Sequence, residues 1–312
     1  MTSAVLVTGA TGKQGGAVIN ALLASNNSKD IKIYALTRNI DSPAAKALVL
    51  KAPEQIQLLA GDLKDPVSIF ANAPVKIARV FFVSIPDMGL VTNSSGEEVN
   101  GKAFIDASLE HGVRHFVYTS VDRHGSDSDA NDTDVPHFWR KANVEKYLRE
   151  TSRGSQMTWT ILRPTAFMEN IAAGFAGKVF PTAWKVGLPP ETKLQLIASS
   201  DIGHFGAQAL IHPKDFASRA ISLAGDDLTF EEANAIFREQ LGFDIPTTYG
   251  IVGSALLWAI KDVGLMFKFW KQVGYAADVT SLRQEYPGLL SFRDWLKTSS
   301  WVPSEDAKQR KT

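Results

Sequence analysis

An apolar run, Val5-Leu6-Val7, passes directly into Thr8-Gly9-Ala10-Thr11-Gly12-Lys13-Gln14-Gly15-Gly16. No other segment restricts the possible folds so strongly. A Gly-x-x-Gly-x-x-Gly turn between a buried strand and a helix forms an anion site. Its glycines let the backbone approach a pyrophosphate, and free N–H groups and the helix dipole hold the charge. The helix is written in Ala17, Val18, Ala21, Leu22 and Leu23, at helical spacing. A glycine triplet alone could simply pack a helix tightly on a strand. One that follows a strand and opens a helix points to a dinucleotide. Gly9, Ala10, Thr11, Gly12, Lys13, Gln14 and Gly15 are therefore the expected phosphate-binding residues.

The first half of the chain repeats this pattern. Strand-like runs at 4–8, 31–37, 56–60, 79–84, 115–120 and 158–163 alternate with helical stretches near 15–25, 43–51, 67–72, 96–111 and 138–151. Such alternation predicts an α/β fold, a Rossmann-type doubly wound parallel sheet. The strands read as continuous apolar runs, as they must when helices cover both faces. After about residue 165 the rhythm is lost, Gly and Pro cluster at 174–190, and Trp, Phe and Tyr become common. This predicts a Rossmann domain over 1–165 and a smaller, mostly helical lobe over 166–303. One segment of that lobe could return to the sheet. Thr229-Phe230-Glu231-Glu232 has capping-box spacing and predicts a helix ending near Gly242. The polar residues 304–312 predict a disordered tail.

Lys+Arg and Asp+Glu number 33 each in 312 residues. The neutral balance gives no overall field to draw in nucleic acid or anionic lipid, leaving only a local patch as a possibility, so direct nucleic-acid binding is not expected. With no cysteine, structural disulfides, thiolate zinc sites and thiol switches are excluded, and no metal site is expected. The chain enters its first strand without a signal-peptide pattern, which predicts a cytoplasmic or nuclear protein. The apolar stretch from Ile251 to Trp270 is interrupted by Lys261, Asp262 and Lys268, so no membrane span is expected. Its Leu256, Leu257, Ile260, Val263 and Phe267 predict one amphipathic helix. That helix is either part of the core or a greasy wall over a ligand pocket.

The strand ends suggest which nucleotide is bound. The second strand closes on Thr37-Arg38-Asn39. NAD-preferring Rossmann folds carry an acid near this point, whereas an arginine suits a 2′-phosphate. Arg38, with Asn39 beside it, therefore favours NADP(H) over NAD(H). The third strand ends in Gly61-Asp62-Leu63. Asp62 could take the adenine amino group, with Leu63 beside it, or it could cap the following helix. The fourth ends in Ser84-Ile85, near the ribose of the nicotinamide.

A reductase also needs a proton donor beside the hydride acceptor. Short-chain dehydrogenases commonly use Tyr-x-x-x-Lys on one helix, but none of the six tyrosines has lysine four residues later. In the helix after the fifth strand, His137 stands four residues before Lys141, where the tyrosine would be. Lys141 could bind the ribose hydroxyls, act as a general acid, or both. His137 could donate a proton near neutral pH or play no chemical part. Ser120 could orient a substrate or simply end its strand.

Taken together, Gly9–Gly16, Leu36-Thr37-Arg38-Asn39, Gly61-Asp62-Leu63, Lys141 with Val144-Glu145-Lys146-Tyr147-Leu148, and Leu162-Arg163-Pro164 with Phe167-Met168-Glu169-Asn170 resemble the NmrA-like family. This is an atypical branch of the short-chain dehydrogenases. The resemblance covers most of the chain. It implies NADP(H) binding, with Phe167, Met168, Glu169 and Asn170 reaching the nicotinamide half from the lobe junction. The family holds redox-sensing regulators that read the nucleotide without turning it over and act through protein partners. It also borders reductases of small aromatic or isoprenoid-like molecules that rely on a lysine. Two functions are thus in play: an NADPH-dependent reductase of a small apolar carbonyl or quinone, and a non-enzymatic NADP(H) sensor. The apolar 251–270 segment favours the first.

Overall fold

The structure, a computed structural model, describes residues 3–84, 96–131 and 133–302. Ile85 and the tail from Ser304 lie outside them. The described residues begin with β1 (Ser3–Val7), α1 (Lys13–Ala24), β2 (Ile31–Thr37), α2 (Pro43–Lys51), β3 (Ile56–Ala60), α3 (Pro66–Ala71) and β4 (Arg79–Phe82). There follow α4 (Gly96–Glu110), β5 (His115–Thr119), α5 (Pro136–Ser152) and β6 (Thr158–Pro164). These are the elements that the alternating pattern predicts, with ends shifted by one or two residues.

The second half comprises β7 (Ala166–Phe167), α6 (Phe175–Gly187), β8 (Leu194–Ile197), α7 (Ser199–Ile211), β9 (Arg219–Leu223) and β10 (Asp226–Leu228). It ends with α8 (Phe230–Leu241), α9 (Gly250–Ala259), α10 (Lys261–Gln272), α11 (Val279–Glu285) and α12 (Phe292–Thr298).

One seven-stranded sheet runs β3-β2-β1-β4-β5-β6-β9, and every pairing in it is parallel. Alternate residues of β1 face opposite ways. Val5 and Val7 pack with α1, α2 and α7, while Ala4 and Leu6 pack with α3, α4 and α5. The sheet is therefore doubly wound and reverses its order between β1 and β4, where ligands of this architecture bind. Thr8 Oγ1 fixes that crossing: it donates to the Val83 carbonyl at 3.0 Å and accepts from the Val83 amide at 2.8 Å.

The second half is interleaved with the first. Strand β9 closes the sheet edge, and α7 lies against α1 so tightly that a Cβ on Gly203 would meet the Ala17 backbone at 2.5 Å. The remaining elements build a second core around Met168, Trp184, Phe237, Phe267, Trp270 and Trp295. That lobe also contains a small sheet, β10-β8-β7, absent from the sequence reading. Its strands have two to four residues, too few to show a period. The capping box at Thr229 and Glu232 is formed, and the helix it opens ends at Gly242 with φ +83°.

The single helix expected over 251–270 is instead two, α9 and α10, bent by 104°. Ile260 adopts an extended conformation between them. The bend brings Gly264 under α9, where a Cβ would lie 2.4 Å from the Leu257 carbonyl oxygen. Leu256, Leu257, Ile260, Val263 and Phe267 nonetheless pack on the second core.

Candidate active site

The glycine loop has the geometry of an anion cradle. Gly9 has φ +58°, and a Cβ on Gly15 would lie 2.3 Å from the Gly9 carbonyl oxygen. Helix α1 is therefore held against the loop at a distance that only glycine permits. Gly12 is the N-cap of α1 and offers no side chain as a cap. The first-turn amides of Lys13, Gln14 and Gly15 have no partner within the helix. Ala10 is buried beneath them, while Thr11, Gly12 and Lys13 are exposed. A groove of about 780 Å³ touches Thr11, Gly12 and Lys13 and runs along α1 between α2 and α7. It does not reach the carboxyl ends of β4 and β5, where the titratable cluster lies.

Arg38 and Asn39 follow β2 and are exposed. The Asn39 side chain accepts from the Asp41 amide at 2.9 Å and so shapes the turn into α2. Asp62 is exposed after β3 and accepts from the Lys64 amide at 3.0 Å. The capping alternative for Asp62 fails, because the N-cap of α3 is Asp65, whose carboxylate accepts from the Ser68 amide. Asp62 is therefore left exposed just past β3, with its carboxylate in a local bond to the Lys64 amide. Leu63 packs at the margin of the sheet core.

Beyond β4 and β5 the site becomes buried and charged. Lys141 on α5 is almost wholly buried, and its Nζ lies 2.7 Å from Oε1 of Glu97, whose side chain has no exposure. Ser84 donates to the same oxygen at 2.7 Å. Lys141 also lies 5.9 Å from the centre of the Tyr118 ring. Burial alone would raise the Glu97 carboxyl, but the Lys141 charge and the bonds from Lys141 and Ser84 hold it below the usual range. Burial, reinforced by Glu97 and Glu145, raises the Tyr118 phenol well above its ordinary value.

His137, one turn before Lys141, is buried too, with Nδ1 3.6 Å from Asp262 Oδ2 on α10. Burial and the Lys141 charge lower it to about 4, against the pull of Asp262 and Glu97. At neutral pH His137 is thus an uncharged imidazole.

The turn after β7 joins the glycine loop to the second lobe. Lys13 Nζ donates to the Glu169 carbonyl at 3.1 Å. The Glu169 carboxylate accepts from the Ser199 amide at 2.9 Å and from its hydroxyl at 2.7 Å, at the start of α7. Phe167 and Asn170 are half-buried beside it, and the Met168 side chain belongs to the second core.

Several buried polar atoms around this region have no hydrogen-bond partner among the described residues. They are Gln14 Oε1, Glu97 Oε2, Tyr118 OH, Thr119 Oγ1, Ser120 Oγ, His137 Nδ1, Glu169 Oε2 and Asp262 Oδ1. Buried polar groups are rarely left unpaired, so this cluster suits a ligand that carries donors and acceptors. Together with the Gly15 cradle it fits a dinucleotide laid across the crossing of β1 and β4.

Glu97 and Asp262 were missed in the sequence. Glu97 shares the inward face of α4 with Gly101, Phe104, Ile105 and Ser108, and that spacing could have revealed a buried acid. Asp262 carried no such signal, since its place depends on the bend before α10.

The profile of the NmrA-like family matches residues 1–282. An NmrA-like family domain-containing oxidoreductase of Gibberella moniliformis is 28% identical over 250 residues, 78% of each chain. Among solved structures, the Citrobacter sp. triphenylmethane reductase complexed with NADP(H) superposes with a TM-score of 0.70. It is 18% identical, over 95% of this chain and 99% of that one. NmrA, a negative transcriptional regulator solved in complex with NAD, superposes with a TM-score of 0.67. It is 15% identical, over all of this chain and 99% of that one.

Proposed function

The chain belongs to the NmrA-like family, and on that premise we propose that it is an NADPH-dependent reductase of a small apolar carbonyl or quinone. The observation that carries this reading is the buried Lys141–Glu97 pair beside Ser84, at the sheet edge that follows the glycine loop. A buried ion pair is a costly way to gain stability. Its position 5.9 Å from the ring of Tyr118, whose buried hydroxyl is unpaired, suits chemistry better than packing. The names of the relatives agree: one is an oxidoreductase and another a reductase that binds NADP(H).

In this reading the amides of Lys13, Gln14 and Gly15 hold the pyrophosphate, and Arg38 and Asn39 hold the 2′-phosphate. Asp62 and Leu63 border the adenine. Ser84, with Ile85 following it in sequence, flanks the nicotinamide ribose. Phe167, Met168, Glu169 and Asn170 close the nicotinamide side. The bound dinucleotide supplies the hydride. Lys141 holds a proton at Nζ within reach of a substrate oxygen, and Glu97 balances and positions its charge. Buried His137 stays neutral and closes the α10 side with Asp262.

A second reading, an NADP(H) sensor acting through a protein partner, draws on one observation. Lys141 is already engaged by Glu97, and His137 has no charge to give at neutral pH. The two separate in a screen of apolar aldehydes, ketones and quinones that follows NADPH absorbance. Reduction that falls by about 10²–10⁴ in Lys141→Met supports the reductase. Absence of any turnover, with an association state that differs between NADP⁺ and NADPH, would discard it for the sensor.

A further inference from the structure

Helix α9 leaves a greasy face uncovered. Its ten residues, Gly250–Ala259, contain no charge. One side packs on α6 through Gly253, where a Cβ would meet Thr182 and Val186 at 3.1 Å. The opposite stripe, Ile251, Ser254, Ala255 and Trp258, is exposed at helical spacing. Trp258 is 88% exposed, Tyr249 82% and Ile251 78%. Large apolar side chains displayed together on a folded surface mark a contact.

The charges carried by the three helices that form this face are mostly of one sign. Helices α6, α9 and α10 together carry Lys178, Lys185, Lys261, Lys268 and Lys271, and a single acid, Asp262. Asp262 is buried against His137 and offers nothing to solvent. Lys268 has a weak surface partner in Asp134 at 3.7 Å. Lys185 and Lys261 are exposed on either side of α9: Lys185 precedes Val186 on α6, with its Nζ 5.4 Å from the centre of the Phe230 ring and Asp244 as an acidic neighbour, and Lys261 is next along the chain after α9. In a chain of zero formal net charge, this is a local excess of positive charge around an uncharged tryptophan-bearing helix.

We propose that α9 docks on the surface of an anionic lipid bilayer. An apolar stripe bordered by lysine, with Trp at its tip, lies in the headgroup–acyl boundary while the lysines meet lipid phosphates. A protein partner would need matching acids around an apolar groove, whereas an anionic bilayer presents both over any area. The helix lies on the membrane rather than across it. Among the described residues no single helix is long and apolar enough to span, and the α9–α10 pair is bent by 104°.

The test is sedimentation of the full chain with vesicles of phosphatidylcholine, alone or mixed with phosphatidylserine. Binding should require phosphatidylserine and weaken as salt rises. Ile251→Glu/Trp258→Glu should abolish it with an unchanged melting temperature, since both side chains are exposed. Lys185→Ala and Lys261→Ala should each weaken it about fivefold. Failure to bind either vesicle would overturn the proposal. So would equal binding to both vesicles, or sedimentation-velocity self-association that the Ile251→Glu/Trp258→Glu pair removes, which would make the face a contact between copies.

Discussion

Replacing Lys141 by methionine separates the pair at the centre of the site without changing the bulk of the side chain much. In the native protein the Glu97 side chain has no exposure and that of Lys141 only 7%. Removing one partner of such a pair typically costs about 3–5 kcal/mol, because the other charge stays buried without compensation. At about 2.1 cal/mol/K per residue, 312 residues carry about 0.65 kcal/mol/K of unfolding entropy, so Tm should fall by about 5–8 °C. The loss should depend on pH. In the native protein Glu97 is held below its ordinary 4.5, so its contribution is present above that value and lost as pH falls below it. Without Lys141 burial dominates and raises the carboxyl, so the penalty is full at high pH and shrinks on acidification. Lys141→Met/Glu97→Gln removes both charges and keeps an acceptor for Ser84. It should regain most of the stability but not turn over NADPH. Urea denaturation of the four proteins gives the coupling directly. A loss below about 1 kcal/mol in the single variant, or additive effects in the cycle, would refute a mutually dependent buried pair.

Arg38→Ala should erase a preference for NADP(H) over NAD(H) of at least about tenfold, or about 1.4 kcal/mol, with the melting temperature unchanged; calorimetric titration of both nucleotides checks it. Gly15→Ala places a Cβ 2.3 Å from the Gly9 carbonyl oxygen, so α1 must move off the loop. NADPH binding should be lost and Tm lowered, and binding retained at native affinity would show that the nucleotide sits elsewhere. Asp201 is raised by burial from 3.8 to about 7, even though it accepts from the Leu290 amide. The folded state then holds an extra proton between those values, and stability falls as pH rises from about 4 to about 7. Asp201→Asn should flatten that slope and be more stable than the native protein at pH above about 7, by on the order of 4 kcal/mol; melting curves across pH decide it.

The sheet was legible because its signals are local. Val5-Leu6-Val7 before the glycine turn, and five further apolar runs between helical stretches, fix strands by composition and winding by alternation. The glycine turn was legible for the same reason, since Gly9 and Gly15 are needed at positions only a few residues apart. Lys141 could be placed from its helix and its distance after the fifth strand. Its partner could not, because Glu97 lies 44 residues away in sequence and meets it only through the packing of α4 on α5. There a Cβ on Gly101 would lie 2.9 Å from Val144. The neutrality of His137 was likewise hidden, being set by burial and the Lys141 charge rather than by residue type. Periodicity over 251–270 identified residues that pack on the second core, Val263 and Phe267 fully and Leu256, Leu257 and Ile260 in part, but not the bend, which Ile260 and Gly264 introduce within an otherwise continuous pattern. Asp62 was weighed as a cap on position alone, and Asp65, three residues later, took that role because it directly precedes α3.

That one bound NADP(H) connects Arg38, the glycine loop and Lys141 is tested most directly by a crystal structure of the protein grown with NADP⁺. It should show pyrophosphate oxygens accepting from the Lys13, Gln14 and Gly15 amides, the 2′-phosphate against Arg38, and the nicotinamide ribose within hydrogen-bonding distance of Lys141. A nucleotide held instead in the groove between α1, α2 and α7, with the Lys141–Glu97 pair untouched by it, would contradict the account.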